Sequence, residues 1–391
     1  MHVKLIILFI CLCLVACQNS KTQPNNLPAN PMTLLNASLF SKVETYNTEL
    51  IFQLDTKQQS EFLQFYQAQK NKEFPSSDER IIFNFLDAKL SGFTFHGDTL
   101  DASTAFAEKR GNCISLAVFT TALADLIKTP VDYQVVINEP IYFKKGSLIL
   151  SSSHLRTRLY NPDDKAPKDM IFFTPKSIVI DYFPTRGQVT AQRAQRPQLI
   201  AKYYANLAAE ALVKNNFNLT FSYLYTAMLH DPYNSELINL QAVLHRRAGD
   251  TATAIKLYQY AVENNLANIN LYQNYLIVAQ KNNSQPLIDF LNKKLTEVDD
   301  PNPYAWIELG EQALKNNNTQ HAKFYFHKAI AAAHYIPEPY VELAKISYQN
   351  GQLNKANNYL TTAIERTYDK TKLSIYRAKY QALKTVAGEI N

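Results

Sequence analysis

Hydrophobic positions change their spacing twice along this chain. Between residues 33 and 110 the spacing is helical, most clearly in SSDERIIFNFLDAKL. There Ser76 precedes Glu79 by three places, the order of a capping box, and Ile82, Phe83, Phe85 and Leu86 follow at helical intervals. A short helix near residues 102–109 leads to Gly111 and Asn112. After Cys113, the residues Leu116, Ala117, Phe119, Thr120, Leu123, Ala124 and Ile127 keep a 3.6-residue period with small side chains among them. That pattern predicts a largely buried helix with Cys113 in its first turn. Beyond Pro130 strict alternation takes over, and VDYQVVI, SLILSS, HLRTRLY and KSIVIDYF read as strands of an antiparallel sheet packed on that helix. His154, Arg156, Arg158 and Tyr160 then share one strand face, while Asp181 shares a face with Val179 and Phe183. If the two strands are neighbours, the imidazole and the carboxylate meet across the ladder.

Helical spacing returns at residue 201 with a second, longer period. Registers beginning at 201, 235, 269, 303 and 337 align without insertion, 34 residues apart. The fourth unit carries Trp306, Leu309, Gly310, Ala313, Ala322, Phe326 and Ala329; the first carries Tyr204, Leu207, Ala208, Ala211, Leu224, Ala227 and Pro232. The second has Ala242, Ala254, Tyr258 and Ala261, and the fifth Tyr340, Leu343, Ala344, Ala356, Leu360 and Ala363. This pattern resembles the tetratricopeptide repeat (TPR), in which small residues let two antiparallel helices approach and large ones fill the space beneath the next unit. The third unit departs, with Ile288, Asn292 and Leu295 in place of the small-large-small series and Pro286 near the start of its second helix, where proline is tolerated. Residues 371–391 read as a capping helix. The resemblance implies an all-α solenoid whose concave groove takes a protein or peptide partner.

Composition fits two or three folded domains: the chain has 391 residues, and its 46% hydrophobic content supplies real cores. The net charge of +6 is spread in pairs such as Lys144–Lys145, Arg246–Arg247 and Lys293–Lys294, which does not support nucleic-acid binding. Only nine glycines occur, so asparagine in KNNF, KNNS and KNNNT is expected to take over left-handed helix caps. His230, His245, His321, His327 and His334 lack a zinc-ligand spacing, and no metal or cofactor is expected.

The N-terminus has the order of a signal sequence: Lys4, an apolar run from Leu5 to Ala16 that is too short for a membrane span of about 20 residues, then LVAC. This resembles the lipobox of bacterial lipoproteins. The resemblance implies removal of residues 1–16, a lipid on Cys17, a polar tether to residue 32, and an outer-membrane location facing the periplasm. Loss of Cys11 and Cys13 with the leader, and acylation of Cys17, would leave Cys113 as the one free thiol in a compartment that oxidises thiols into pairs.

A thiol at a helix start meets unpaired N–H groups and the positive end of the helix dipole, which favour the thiolate. The order Cys113 after RGN, His154 on a following strand and Asp181 on the next resembles the transglutaminase-like fold of the papain-like cysteine enzymes, over roughly residues 75–185. That resemblance implies Cys113 as nucleophile at an amide carbonyl, His154 as its base and then acid, Asp181 as the group orienting the imidazole, and the Cys113 N–H as oxyanion donor. His96 is an alternative base that precedes the cysteine, and Asp163 and Asp164 look like a solvated turn. Ile114 stands where an aromatic residue often follows the cysteine, and the sole tryptophan, Trp306, lies in the repeats.

The expected fold is therefore α+β: a transglutaminase-like domain at 33–195 made of helices and an antiparallel sheet, followed by an all-α solenoid of five TPR units at 201–370. The expected function is a cysteine-dependent amide hydrolase or acyl transferase whose repeats recruit a protein or peptide. The alternative is a catalytically inactive domain within a TPR assembly scaffold.

Overall fold

A computed structural model describes residues 28–45, 47–90, 94–95, 98–145, 148–161, 177–181, 191–296, 302–367 and 369–389. Residues 1–16, Cys17, His96, Asp163, Asp164 and Phe183 lie outside that set. The segment from residue 33 to residue 55 does not continue the helical pattern. It is an extended strap with three short 3-10 turns, Pro31–Leu34, Ala37–Leu39 and Leu50–Phe52. The physical reason is that the strap's amides are taken by side chains far along the chain. Asn36 N–H donates to His245 Nε2 at 3.3 Å, Ser41 N–H to Asn218 Oδ1 at 3.1 Å and Val43 N–H to Ser222 Oγ at 3.0 Å. Phe40 stacks on Phe221 with ring centroids 4.6 Å apart, and Tyr233 donates its hydroxyl to the carbonyl of Pro28.

Two helices follow, α1 (Thr56–Lys70) and α2 (Asp78–Leu90). The capping box falls on α1, where Asp55 and Gln58 bond reciprocally, rather than on Ser76 and Glu79. At α2 it is the Ser77 hydroxyl that donates to Glu79, at 2.6 Å, one residue later than the sequence pattern indicates. Ile82, Phe85 and Leu86 of α2 are buried, as their spacing predicts. The strand β1 (Thr94–Phe95), the helix α3 (Ala102–Glu108) and the strand β2 (Arg110–Gly111) lead into α4 (Cys113–Leu126); β1 and β2 pair in parallel. Every residue of α4 from Cys113 to Ala124 is buried, so α4 is a central helix, apolar on all sides.

The sheet has four strands among the described residues: β3 (Val131–Lys145), β4 (Leu148–Tyr160), β5 (Ser177–Ile180) and β6 (Ala191–Ala194), in the antiparallel order β5-β4-β3-β6. SLILSS and HLRTRLY are thus one strand rather than two, continuous because β3 runs alongside both halves with a register shift between Val136 and Ile141. Alternate residues Leu155, Thr157 and Leu159 are buried, and Tyr133 donates its hydroxyl to Thr121 of α4 at 2.7 Å, because the Thr121 proton is already given to the Ala117 carbonyl. Buried Asp132 ties three strands together: it accepts two bonds from Arg158 and one from Tyr160, and pairs with Arg193 at 2.6 Å.

Helical hairpins make up the rest. The pairs are α5 (Arg196–Val213) with α6 (Phe217–His230), α7 (Ser235–Arg247) with α8 (Thr251–Glu263), α9 (Ile269–Lys281) with α10 (Gln285–Thr296), α11 (Pro303–Lys315) with α12 (Thr319–Ala332), and α13 (Glu338–Gln349) with α14 (Leu353–Glu365). A last helix, α15 (Lys370–Glu389), ends the stack. The turn inside each pair has one left-handed residue at the same place: Asn215, Gly249, Asn283, Asn317 and Gly351, each 34 residues after the one before. Three of the five are the asparagines of KNNF, KNNS and KNNNT, so asparagine does replace glycine there. Gly310 is required for a different reason, since a methyl group on it would lie 2.5 Å from Phe326 Cε1. Among the described residues, one hydrophobic core runs from Phe40 through α4 and the sheet to Leu291, and separate clusters begin at Tyr304.

Candidate active site

The run RGNC is explained residue by residue. Arg110 pairs with Asp98 and, at 2.5 Å, with Glu108, which fixes the approach to α4. Gly111 has φ of 147°, a conformation that favours glycine. Asn112 is the N-cap of α4: its Oδ1 accepts from Ile114 N–H at 3.1 Å and Ser115 N–H at 3.0 Å, and its Nδ2 donates to Thr99 Oγ1 at 2.8 Å. Ser115 adds a further tie, since its Oγ accepts from Leu100 N–H at 2.8 Å. The four residues therefore place Cys113 as the first residue of a helix whose start is bonded to the segment before it.

Cys113 is a free thiol and 6% exposed. His154, on β4, is buried, and its Nε2 lies 2.7 Å from Asp181 Oδ1. The β4–β5 pairing that brings them together runs through Thr157 opposite Ile180, and Asp181 is the residue directly after β5. Burial disfavours the charged imidazole, but the Asp181 hydrogen bond and the electrostatic pull of Asp181 and of the nearby Cys113 sulfur outweigh it and raise the His154 pKa to about 9. The ring therefore responds to two neighbours, the bonded carboxylate and the sulfur. With Nε2 on Asp181, Nδ1 is the ring nitrogen left for exchange with a thiol, and it is buried. This arrangement is able to hold a thiolate beside an imidazolium and to pass a proton from the ring to a leaving group.

Of the three residues expected from the sequence, His154 and Asp181 are in contact and Cys113 acts on the ring's charge; two further side chains, Asn112 and Arg156, lie beside them. Asn112 was legible, because an asparagine directly before a periodic apolar run is a helix-start signal. Arg156 was visible as a neighbour of His154 on its strand face, but nothing in the sequence gave it a partner; in the structure its Nε lies 2.7 Å from Asp181 Oδ2. Among the described residues no group of three His, Cys, Asp or Glu side chains is arranged to hold a metal ion, and no helix is long and apolar enough to cross a membrane. Of the repeat histidines, His245 is buried and bonded through Nδ1 to the Gln241 carbonyl, a packing residue.

No family model matches the chain, and no curated protein matches it. Solved structures similar to it include Pseudomonas aeruginosa pilF, at 17% identity over 49% of this chain and 91% of that one, with a TM-score of 0.28. PilW, described as a widely conserved type IV pilus biogenesis factor, is 18% identical over 48% of this chain and 98% of its own, with a TM-score of 0.25. YrrB, described as a TPR protein with an unusual peptide-binding site, is 15% identical over 46% of this chain and 92% of its own, with a TM-score of 0.24. Each is a likeness to about half of this chain at low identity and low score, and none assigns a function to it.

Proposed function

We propose that this chain is a protein-binding repeat scaffold whose first domain performs thiol-dependent chemistry at an amide bond. The observation that carries the reading is the buried His154 ring bonded to the Asp181 carboxylate, with the Cys113 sulfur near enough to act on its charge. In the proposed reaction the Cys113 sulfur attacks the carbonyl carbon, and the carbon–nitrogen bond breaks as His154 gives its proton to the departing amine, leaving a thioester. Water or a second amine then attacks that thioester and loses a proton to His154; the carbon–sulfur bond breaks, releasing the acyl product, and the sulfur takes the proton back from His154. The first outcome is hydrolysis and the second is acyl transfer, and the transglutaminase-like resemblance covers both. The repeats supply an extended surface for a protein or peptide, the ordinary use of a helical solenoid. The N-terminal motif supports a lipid on Cys17 and an outer-membrane, periplasm-facing location.

A second reading, a catalytically silent domain within the scaffold, is favoured by two observations. Cys113 lies inside the continuous core, and the Asn112 cap takes the N–H groups of Ile114 and Ser115 that would otherwise face an anion. Alkylation by iodoacetamide separates the two. A working triad gives rapid modification of Cys113 in the folded protein at pH 7, slowed at least about tenfold in His154→Ala. A thiol that reacts only after the protein unfolds, at the same rate in both proteins, would leave the scaffold reading alone.

A further inference from the structure

The antiparallel register aligns Thr157 with Ile180, so the next pair outward sets Arg156, not His154, directly across from Asp181. Asp181 reaches His154 diagonally with Oδ1, while Oδ2 forms an ion pair with Arg156, whose Nε lies 2.7 Å away without the alignment of a hydrogen bond. The aspartate follows the last residue of β5, so its grip on the ring depends on these side-chain contacts rather than on being inside a strand. Both side chains are sheltered, with Arg156 15% and Asp181 18% exposed, so water competes only weakly for the carboxylate. A carboxylate held at one oxygen is free to rotate about its χ angles, whereas a close cation on the other oxygen restricts that rotation.

We propose that Arg156 is a positioning residue of the candidate triad, clamping the outer oxygen of Asp181 so that the inner oxygen stays on His154. The proposal rests on the triad reading above. It makes a distinctive electrostatic demand, because the guanidinium has two opposite effects on the ring. As a nearby positive charge it disfavours the imidazolium; as a clamp it preserves the hydrogen bond that favours it. If clamping dominates, removing Arg156 lowers the basicity of His154. If the arginine is only a charge, removing it raises that basicity.

The test is NMR titration of the His154 imidazole in the full chain, together with the pH profile of Cys113 alkylation, for Arg156→Gln and Arg156→Lys. The expected result is a fall of about one pH unit or more in the His154 midpoint of Arg156→Gln, with a matching shift in the alkylation profile. Arg156→Lys, which retains the charge but loses the planar fork, falls between wild type and Arg156→Gln. An upward shift, or an unchanged midpoint with only a lower melting temperature, overturns the proposal. Should Arg156→Gln fail to fold, the Lys variant alone decides, since an unaltered midpoint there excludes a geometric role. An unreactive Cys113 with a His154 midpoint that still falls in the variants would refute the enzymatic reading while leaving the clamp intact.

Discussion

At the scale of single residues, His154 gives the sharpest expectation. Burial opposes its charge, but the bond to Asp181, helped by the nearby Cys113 sulfur, prevails and its pKa rises from the ordinary imidazole value to about 9. A base whose pKa is raised by folding stabilises the native state fully below the unfolded value of about 6.5, and that contribution is lost as pH rises through the folded value. Stability is therefore expected to fall between roughly pH 7 and pH 9.5 in wild type, with a smaller fall in Asp181→Asn. Urea unfolding across that pH range, with the imidazole titration followed by NMR, checks both the midpoint and the sign. Asn112 carries a second expectation. Replacing it with alanine removes the acceptor for Ile114 and Ser115 and the tie to Thr99, so Asn112→Ala is expected to cost about 1–2 kcal/mol. Chemical denaturation reads that loss; a change below about 0.3 kcal/mol would mean the helix start is fixed by other contacts.

At the scale of elements, the strap is the feature that periodicity misread. Its apolar residues have the spacing of a helix, but residues such as Asn36, Ser41 and Val43 spend their backbone donors on α6 and α7, partners some 180 to 210 positions away that no local window contains. The long-period signal behaved oppositely: each repeat turn meets the same local requirement for a left-handed residue, so Asn215, Asn283 and Asn317 were legible from composition alone. The candidate site falls between these extremes. Cys113 is placed by its own helix signal, whereas the meeting of His154 with Asp181 depends on strand order, which alternation suggests but does not determine. The strap also predicts acid sensitivity. His245 accepts from Asn36 N–H through Nε2 and is bonded through Nδ1 to the Gln241 carbonyl, so this geometry needs the neutral ring. Burial lowers its pKa, against the pull of Asp250 nearby, so this contribution is present above about pH 6.5 and is lost as pH falls below it. Hydrogen exchange over residues 36–45, corrected for intrinsic rates, is expected to quicken at pH 5 relative to pH 7.5. Phe40→Ala, which removes the stack on Phe221, is expected to quicken it at both pH values and to cost about 3 kcal/mol. Equal protection at the two pH values in wild type would show that the His245 contact does not hold the strap.

At the scale of the whole molecule, the distribution of cores argues against treating the first domain and the repeats as two independent bodies. Among the described residues, the strap, α4, the sheet and the first three helical pairs share one hydrophobic cluster, from Phe40 to Leu291, while the fourth and fifth pairs have clusters of their own beginning at Tyr304. Cooperative unfolding follows shared burial, so the break in cooperativity is expected after α10 rather than at the start of the repeats. Two native reporters lie on opposite sides of that break. Trp306, the only tryptophan, stacks on Tyr325 in the fourth pair, and Cys113 is buried in the first cluster. In urea, Trp306 fluorescence is expected to change at lower denaturant than the loss of native reactivity at Cys113 or the far-UV signal of α5 to α10. Gly310→Ala sharpens the distinction, because its methyl group would press into Phe326 and overpack only the fourth pair, costing about 1–3 kcal/mol. The Trp306 transition should move to lower urea by that amount while the Cys113 transition stays in place. If both probes move together by the same amount, the fourth and fifth pairs unfold with the rest, and the boundary between clusters has no energetic meaning.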